Sequence, residues 1–309
     1  MRGERGFALI GAMWLLVALA AVGLELSLAA RARRLTALNV AELEQAEWAA
    51  RAGLETARAR LEGLLARGDA GPGADPWWNA GAFLPDTVPL GDAAFHVRAR
   101  DANAGLNPNR ADAAGLQRLL AAVRVDAGDA DRLAQAVADW RDADDFPRAR
   151  GAEREAYLAA ERPVLPRNGP FRAVGEMLDV LGMDPEVFER VRPYVTVIGT
   201  GRINLNTAPR PVLLSLPGIG EEAASVIERL RRGGGRVTSL GELAAGLPAP
   251  ARAALVARMP ELEGRVTFDT RELELVSDGW SGDGRVRVTA RGLLVRARET
   301  AFLIGVRVE

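Results

Sequence analysis

Residues 7–24, FALIGAMWLLVALAAVGL, run for 18 positions without a charge. As a helix rising 1.5 Å per residue they would reach about 27 Å, close to the thickness of a bilayer's hydrocarbon core. Beyond them the all-round apolar run narrows to a stripe. Leu35, Leu38, Leu43, Ala46, Ala50, Leu54, Ala57, Leu61, Leu64 and Leu65 recur mostly at steps of three and four, the spacing of one helix face. The first proline is Pro72, so nothing marks a break between the two patterns. The spacing predicts one helix from about Phe7 to about Arg67, roughly 90 Å long. Its first third is fit for lipid and the remainder for packing on a head or a neighbouring helix.

Residues 68–92 are rich in Gly, Pro and Asp and hold Trp77-Trp78. That predicts a loop whose tryptophans either plug a small core or meet a partner. AFHVRAR at 94–100 alternates, placing Phe95, Val97 and Ala99 on one face of a strand and His96 on the other. Residues 104–262 then read as short amphipathic helices between Pro, Gly and Asn turns. From Gly264 the period becomes two again. RVTFDTRELELVSDG and the final RVRVTARGLLVRARETAFLIGVRVE predict three or four antiparallel strands, with turns such as Gly282-Asp283-Gly284. Residues 94–100 and 265–309 are expected to form one sheet on the stalk stripe, with the helical stretch inserted between its strands.

The helical stretch repeats itself. GLNPNRADAAGLQRLL (105–120) aligns with RINLNTAPRPVLLSL (202–216), setting Asn107 and Asn109 over Asn204 and Asn206. FRAVGEMLDVLGMDPEVFERVRPYV (171–195) aligns with VTSLGELAAGLPAPARAALVARMPEL (237–262), setting Gly175-Glu176 over Gly241-Glu242. Two related modules are expected, 104–198 and 199–262, the first carrying an insertion. The asparagines suit helix starts or tight turns, where a side-chain oxygen can accept from a nearby backbone N–H.

Composition excludes more than it assigns. The 309 residues carry a net charge of −1, which gives no global attraction to nucleic acid or anionic lipid. Lysine is absent and all 40 basic residues are arginine. There is no cysteine and one histidine, His96, so thiol catalysis, disulfides, a Ser-His-Asp triad and a multi-histidine zinc site are all ruled out or nearly so. No nucleophile–base pair suggests an enzyme.

Three fates suit the N-terminus. Ser27-Leu28-Ala29 could end an export signal, though a cut there would discard half of an intact helix. A plain anchor would place Arg2 and Arg5 in the cytoplasm, against which Arg31, Arg33 and Arg34 make the far flank equally basic. The third is carried by Arg5-Gly6-Phe7, which resembles the basic-Gly-Phe site that prepilin peptidase cuts in type IV pilin-like proteins. That cut, between Gly6 and Phe7, would remove a leader of residues 1–6 and keep the whole helix. Pilins usually carry Glu at the fifth mature position, whereas this chain has Gly11 there. The minor pseudopilin K family of type II secretion systems is known for lacking that Glu.

Two further stretches bear on this. LPGIGEEAASVIERLR (216–231) resembles a helix-hairpin-helix motif, in which a Gly-Ile-Gly turn lets backbone amides approach a phosphate. With its flanks it also resembles the membrane-anchored competence DNA receptor ComEA, the alternative reading. Here Glu221 and Glu222 follow the turn at once and repel phosphate. VADWRDADDFPRARGAEREAYL (137–158) closely resembles a signature of the minor pseudopilin K family, in which Asp-Trp-x-Asp-x-Asp leads to Pro and then Gly-Ala-Glu. With Asn-Gly-Pro-Phe at 168–171 the resemblance spans most of the chain.

That resemblance implies an α+β, type IV pilin-like fold: a long N-terminal helix (7–67) and an antiparallel head (68–103 and 263–309). Inserted in the head is a large all-α domain of two SAM-like, helix-hairpin-helix-like modules. It implies an inner-membrane, single-pass protein with its bulk in the periplasm, cut at Gly6 and methylated on Phe7, at the tip of the secretion pseudopilus. Implied partners are minor pseudopilins I and J, the major pseudopilin and prepilin peptidase, with no nucleic acid. It also implies calcium. From the residues alone, Asp142, Asp144 and Glu153, with Asp139 and Glu155 behind them, offer the hard oxygens that calcium takes. An equally available reading is a solvated acidic loop paired with Arg141, Arg148, Arg150 and Arg154.

Overall fold

The computed structural model describes residues 4–67, 77–298 and 300–309. Helix α1 (Glu4–Arg67) is unbroken over 64 residues, as the absence of proline predicts. From Ala12 on, its apolar N-terminal part is exposed, and it is long enough to cross a membrane. The stalk stripe serves two environments. Leu35, Leu38 and Leu43 are about half exposed, whereas Ala46, Ala49, Ala50, Leu54, Ala57 and Leu61 are buried in the head. Two glycines let the helix sit close. A Cβ on Gly279 would strike the α1 backbone at Ala46 and Ala50, and one on Gly53 would strike Ser277 and Phe95.

The head is one five-stranded antiparallel sheet in the order β1-β2-β5-β6-β7. Its strands are β1 (Val88–Leu90), β2 (Ala93–Asp101), β5 (Glu272–Ser281), β6 (Arg287–Ala297) and β7 (Thr300–Val308). Phe95 and Val97 point into the core with Leu273, Leu275, Ala290 and Leu294, while His96 takes the other face and bonds the Asp86 carbonyl. The stretch expected to be loop contains some regular structure: a 3-10 turn at Ala80–Phe83, and β1, which pairs with β2. Trp77 is fully buried in the head core, so the plug reading holds for it. Residues 68–76 of the expected loop lie outside the described residues.

Between β2 and β5 the chain builds a second, separate core from helices α2 (Ala113–Ala122), α3 (Ala127–Arg141), α4 (Arg154–Ala159) and α5 (Pro185–Val191), then α6 (Arg210–Leu214), α7 (Glu221–Arg232), α8 (Leu240–Ala245) and α9 (Ala249–Glu263). Side-chain caps start several of them. Asp112 accepts from Gly115 N–H, Asp126 from Gly128, Asp184 from Glu186 and Ser239 from Glu242, each satisfying a first-turn donor that the helix cannot.

The repeat in sequence is a repeat in hydrogen bonds. Asn107 accepts from the Asn109 N–H and Asn204 from the Asn206 N–H, each closing a turn rather than capping a helix. Asn109 then brackets the backbone of Phe171, accepting from its N–H (2.8 Å) and donating to its carbonyl (2.9 Å). Asn206 does the same to Val237, at 2.8 Å for both bonds. Phe171 and Val237 are the residues the alignment superposes. Glu176 and Glu242 likewise each accept from the N–H four residues before them, on Arg172 and Thr238.

The same symmetry corrects one expectation. Residues 265–309 do not all enter the head sheet. Strand β4 (Val266–Thr267) instead pairs in parallel with β3 (Ile203–Asn204). The first module closes in the same way, with Leu106 bridged in parallel to Val195. Val266 and Phe268 pack into the helical core, and the head sheet resumes only at Glu272.

Candidate metal centre

Helix α3 decides where the acidic residues point. Asp139 lies in its last turn and Asp142 ends it, three positions on and so on the same face. Asp139 is wholly buried. Its neighbour Trp140 fixes that face, packing against Tyr157 and Phe171 with ring centroids 6.0 and 5.9 Å away. The chain then loops out and returns. Glu153 flanks the start of α4 in extended conformation and is 3% exposed. Carboxylate oxygens of Asp139, Asp142 and Glu153 lie within 4.8 Å of one another. Gly151 permits the return, since a Cβ there would overlap the Asp139 carboxylate.

The three acids are unequally served. Asp139 accepts from the Arg148 backbone N–H (3.1 Å) and from its guanidinium, whose Nη1 also donates to Asp142. One oxygen of Asp142 and both oxygens of Glu153 are buried with no hydrogen-bond partner among the described residues. Burial first, and then the negative charges of Asp139, Asp142, Asp145 and Asp144, push the Glu153 carboxyl from 4.5 up to about 7. Such a group is held at a cost unless something positive meets it.

The residues fit a hard divalent cation. Calcium takes oxygens at about 2.3–2.6 Å, so two ligands across one ion stand up to roughly 5 Å apart, which the 4.8 Å grouping satisfies. The cluster holds neither His nor Cys, so nothing in it favours a softer metal.

The other expected ligands stand elsewhere. Asp144 is exposed and turns its carboxylate onto the Phe146 N–H of its own loop, at 3.0 Å. Glu155 is exposed in the first turn of α4. The five-carboxylate expectation therefore narrows to three, because the end of α3 and the start of α4 aim only those inward. The arginine-paired reading is met in part. Arg148 pairs with the cluster, but Arg141 donates to the Ala111 carbonyl and Arg150 faces Asp131 at 3.5 Å. The space-making role of Gly151 escaped sequence reasoning, although the Gly-Ala-Glu motif contains it.

The helix-hairpin-helix turn is occupied differently. Gly218 has φ +76°, and a Cβ on it would strike the Ala254 carbonyl and Arg258. Around the turn, Arg210 is bound by Glu221 and Glu228. Arg231 is half-buried and donates to the Leu205 and Ala208 carbonyls. These basic groups are committed within the fold. For the processing residues Gly6 and Phe7, and for Gly11, only the helical backbone is described.

Comparison with known proteins gives one consistent answer. Residues 93–200 match the family model described as Type II secretion system (T2SS), protein K. Relatives named Type II secretion system protein K include one from Pectobacterium carotovorum subsp. carotovorum, 34% identical over 25% of this chain and 24% of its own. One from Klebsiella pneumoniae is 37% identical over 25% of this chain and 24% of its own. One from Pseudomonas aeruginosa is 29% identical over 57% and 55%. The matched segments thus span about a quarter of the first two relatives. In fold the likeness is broader. A chain of the crystal structure of the GspK-GspI-GspJ complex from the enterotoxigenic Escherichia coli type 2 secretion system superposes with a TM-score of 0.68 at 20% identity. That superposition covers 89% of this chain and 99% of that one.

Proposed function

We infer that this chain belongs to the type II secretion system protein K family and works as a minor pseudopilin: a structural subunit at the tip of the secretion pseudopilus that helps start its assembly. One observation carries the reading. A single helix joins a membrane-length apolar segment to a pilin-like head, and that head carries a helical domain between two adjacent strands. In such a subunit the apolar segment anchors the chain in the inner membrane before assembly, with the head and helical domain in the periplasm. The exposed stalk positions Leu35, Leu38 and Leu43 are free for neighbouring subunits. Its partners on this reading are the minor pseudopilins I and J, the major pseudopilin, and prepilin peptidase acting between Gly6 and Phe7. Its work is organisational rather than catalytic.

The same reading gives the acidic cluster a calcium ion, held by Asp139, Asp142 and Glu153. Calcium would supply the positive charge that the buried Glu153 oxygens lack. The protein's own contribution is to bring the end of α3 and the start of α4 together, with Gly151 clearing the space.

N-terminal mass spectrometry of the membrane-extracted protein tests the pilin route. A mature chain beginning at methylated Phe7 supports it, and one beginning at Ala30 overturns it. Replacing Gly6 with Val should block the cut, whereas Gly11→Glu should leave it intact.

A further inference from the structure

Arg148 occupies the place a cation would take. Its Nη1 donates at once to Asp139 and Asp142, two of the three carboxylates that face one another. A divalent ion shared by those carboxylates needs the same oxygens at roughly 2.3–2.6 Å, and a guanidinium nitrogen cannot lie between them at the same time. Arg148 also brings positive charge, which an incoming cation meets as repulsion in a poorly solvated site.

The backbone is arranged to let the side chain go. The Arg148 N–H donates to Asp139 Oδ2 at 3.1 Å, whereas the guanidinium uses Oδ1. The Arg148 carbonyl accepts from Gly151 at 3.0 Å. Both of these bonds survive rotation of the side chain, which is 42% exposed and has solvent to enter. The Glu153 carboxylate differs from its two partners in having no hydrogen-bond donor among the described residues, so none of those need be displaced from it.

We propose that Arg148 is a built-in counter-ion that competes with the divalent cation for Asp139 and Asp142, and so sets the affinity of the site. This rests on the calcium reading of the cluster. Glu153 is the open end at which the ion first engages, and entry is completed when the guanidinium swings out while the loop backbone stays in place. In the metal-free protein Arg148 holds the cluster together, so the loop does not depend on calcium to keep its path. The residue limits binding at low calcium and preserves the fold without it.

The test is calorimetric titration of calcium chloride into the detergent-solubilised full chain, compared with Arg148→Gln and Arg148→Lys and with Asp139→Asn as the site-dead control. Hydrogen bonds to charged groups are strong enough for their removal as competitors to raise affinity about tenfold or more. Arg148→Gln should therefore bind calcium at least about tenfold more tightly and melt at a lower temperature in chelator. Arg148→Lys, with a point charge in place of a fork, should fall between. Unchanged or weaker binding by both Arg148 variants, while the parent binds, overturns the competition and leaves the calcium site standing. If the parent shows no heat but Arg148→Gln binds, the competition is supported in its strongest form. If neither binds, the calcium reading and this proposal fall together.

Discussion

Two buried carboxylate sites in this protein differ in whether they are finished. At the junction of head and insertion, Asp101 is 6% exposed and accepts four hydrogen bonds: from the Asn103 N–H (2.9 Å), Asn204 Nδ2 (2.6 Å), Thr207 Oγ1 (2.7 Å) and Thr270 Oγ1 (2.8 Å). Every donor is neutral and every bond is made by the chain itself. At the end of the insertion's second helix, α3, lies the other site. There Glu153 is buried as deeply, and its carboxylate accepts no hydrogen bond among the described residues. A low-dielectric interior rewards the first arrangement and penalises the second. The comparison teaches that burial of a carboxylate does not by itself mark a ligand site. The count of donors does. Asp101 is a latch closed by its own chain, whereas Glu153 is left without a donor among the described residues, and it is there that the proposed calcium ion would bring the missing charge.

Three changes would break or sharpen that contrast. The largest effect is expected at the latch. Asp101→Asn turns an acceptor into a group that must donate towards other donors, leaving several of them buried and unpaired. It should destabilise the insertion by about 2–4 kcal/mol, equally with and without calcium, as read by melting in each condition. A calcium-dependent loss there would erase the distinction between the sites.

The second effect concerns pH. Glu153 has its carboxyl raised in the fold to about 7 from 4.5, so between those values the folded chain holds a proton that the unfolded chain has released. Stability of the metal-free protein should then fall as pH rises from about 4.5 to about 7, by up to roughly 3 kcal/mol. Glu153→Gln should flatten that fall and abolish the calcium response. A parent whose melting temperature rises over the same range in chelator would contradict the structure of the cluster.

The smallest effect is expected outside it. Asp144→Asn and Glu155→Gln, both at exposed positions, should each change stability by less than about 0.5 kcal/mol. Their calcium affinity should stay within about threefold of the parent in the same titration. A loss as large as that of Asp139→Asn would return either residue to the ligand set.

How much of this was legible beforehand follows from the range of the interactions concerned. The α1 helix, the alternation of β2 and the Asn-x-Asn repeat are local patterns, and each appears where the sequence places it. The pairing of Val266 and Thr267 was not legible, because alternation reveals that a segment is extended and is silent about which strand it joins. The Asp101 latch was equally hidden, since its side-chain donors come from 103, 106 and 169 residues away. The acidic stretch announced its chemistry through composition. Only the geometry at the end of α3 and the flank of α4 divides Asp139, Asp142 and Glu153 from Asp144 and Glu155.

The way the insertion leaves and rejoins the head also sets what the head can tolerate. Asp101 on β2 is the register partner of Leu273 on β5, so the whole helical domain departs and returns at one rung of a hydrogen-bonded ladder. Closing a loop of that length costs only slightly more than closing a short one, because the entropy grows with the logarithm of length. The two strands can therefore carry a domain of almost any size, provided that its ends meet at that rung. Seen from the sheet, the helical domain is a very long hairpin turn, and the Asp101 bonds are its clasp. A pull on the domain would reach the head at that clasp before any other rung of the ladder. A chain in which residues 102–271 were replaced by a tight turn would keep the register from Ala93 to Asp101 unaltered.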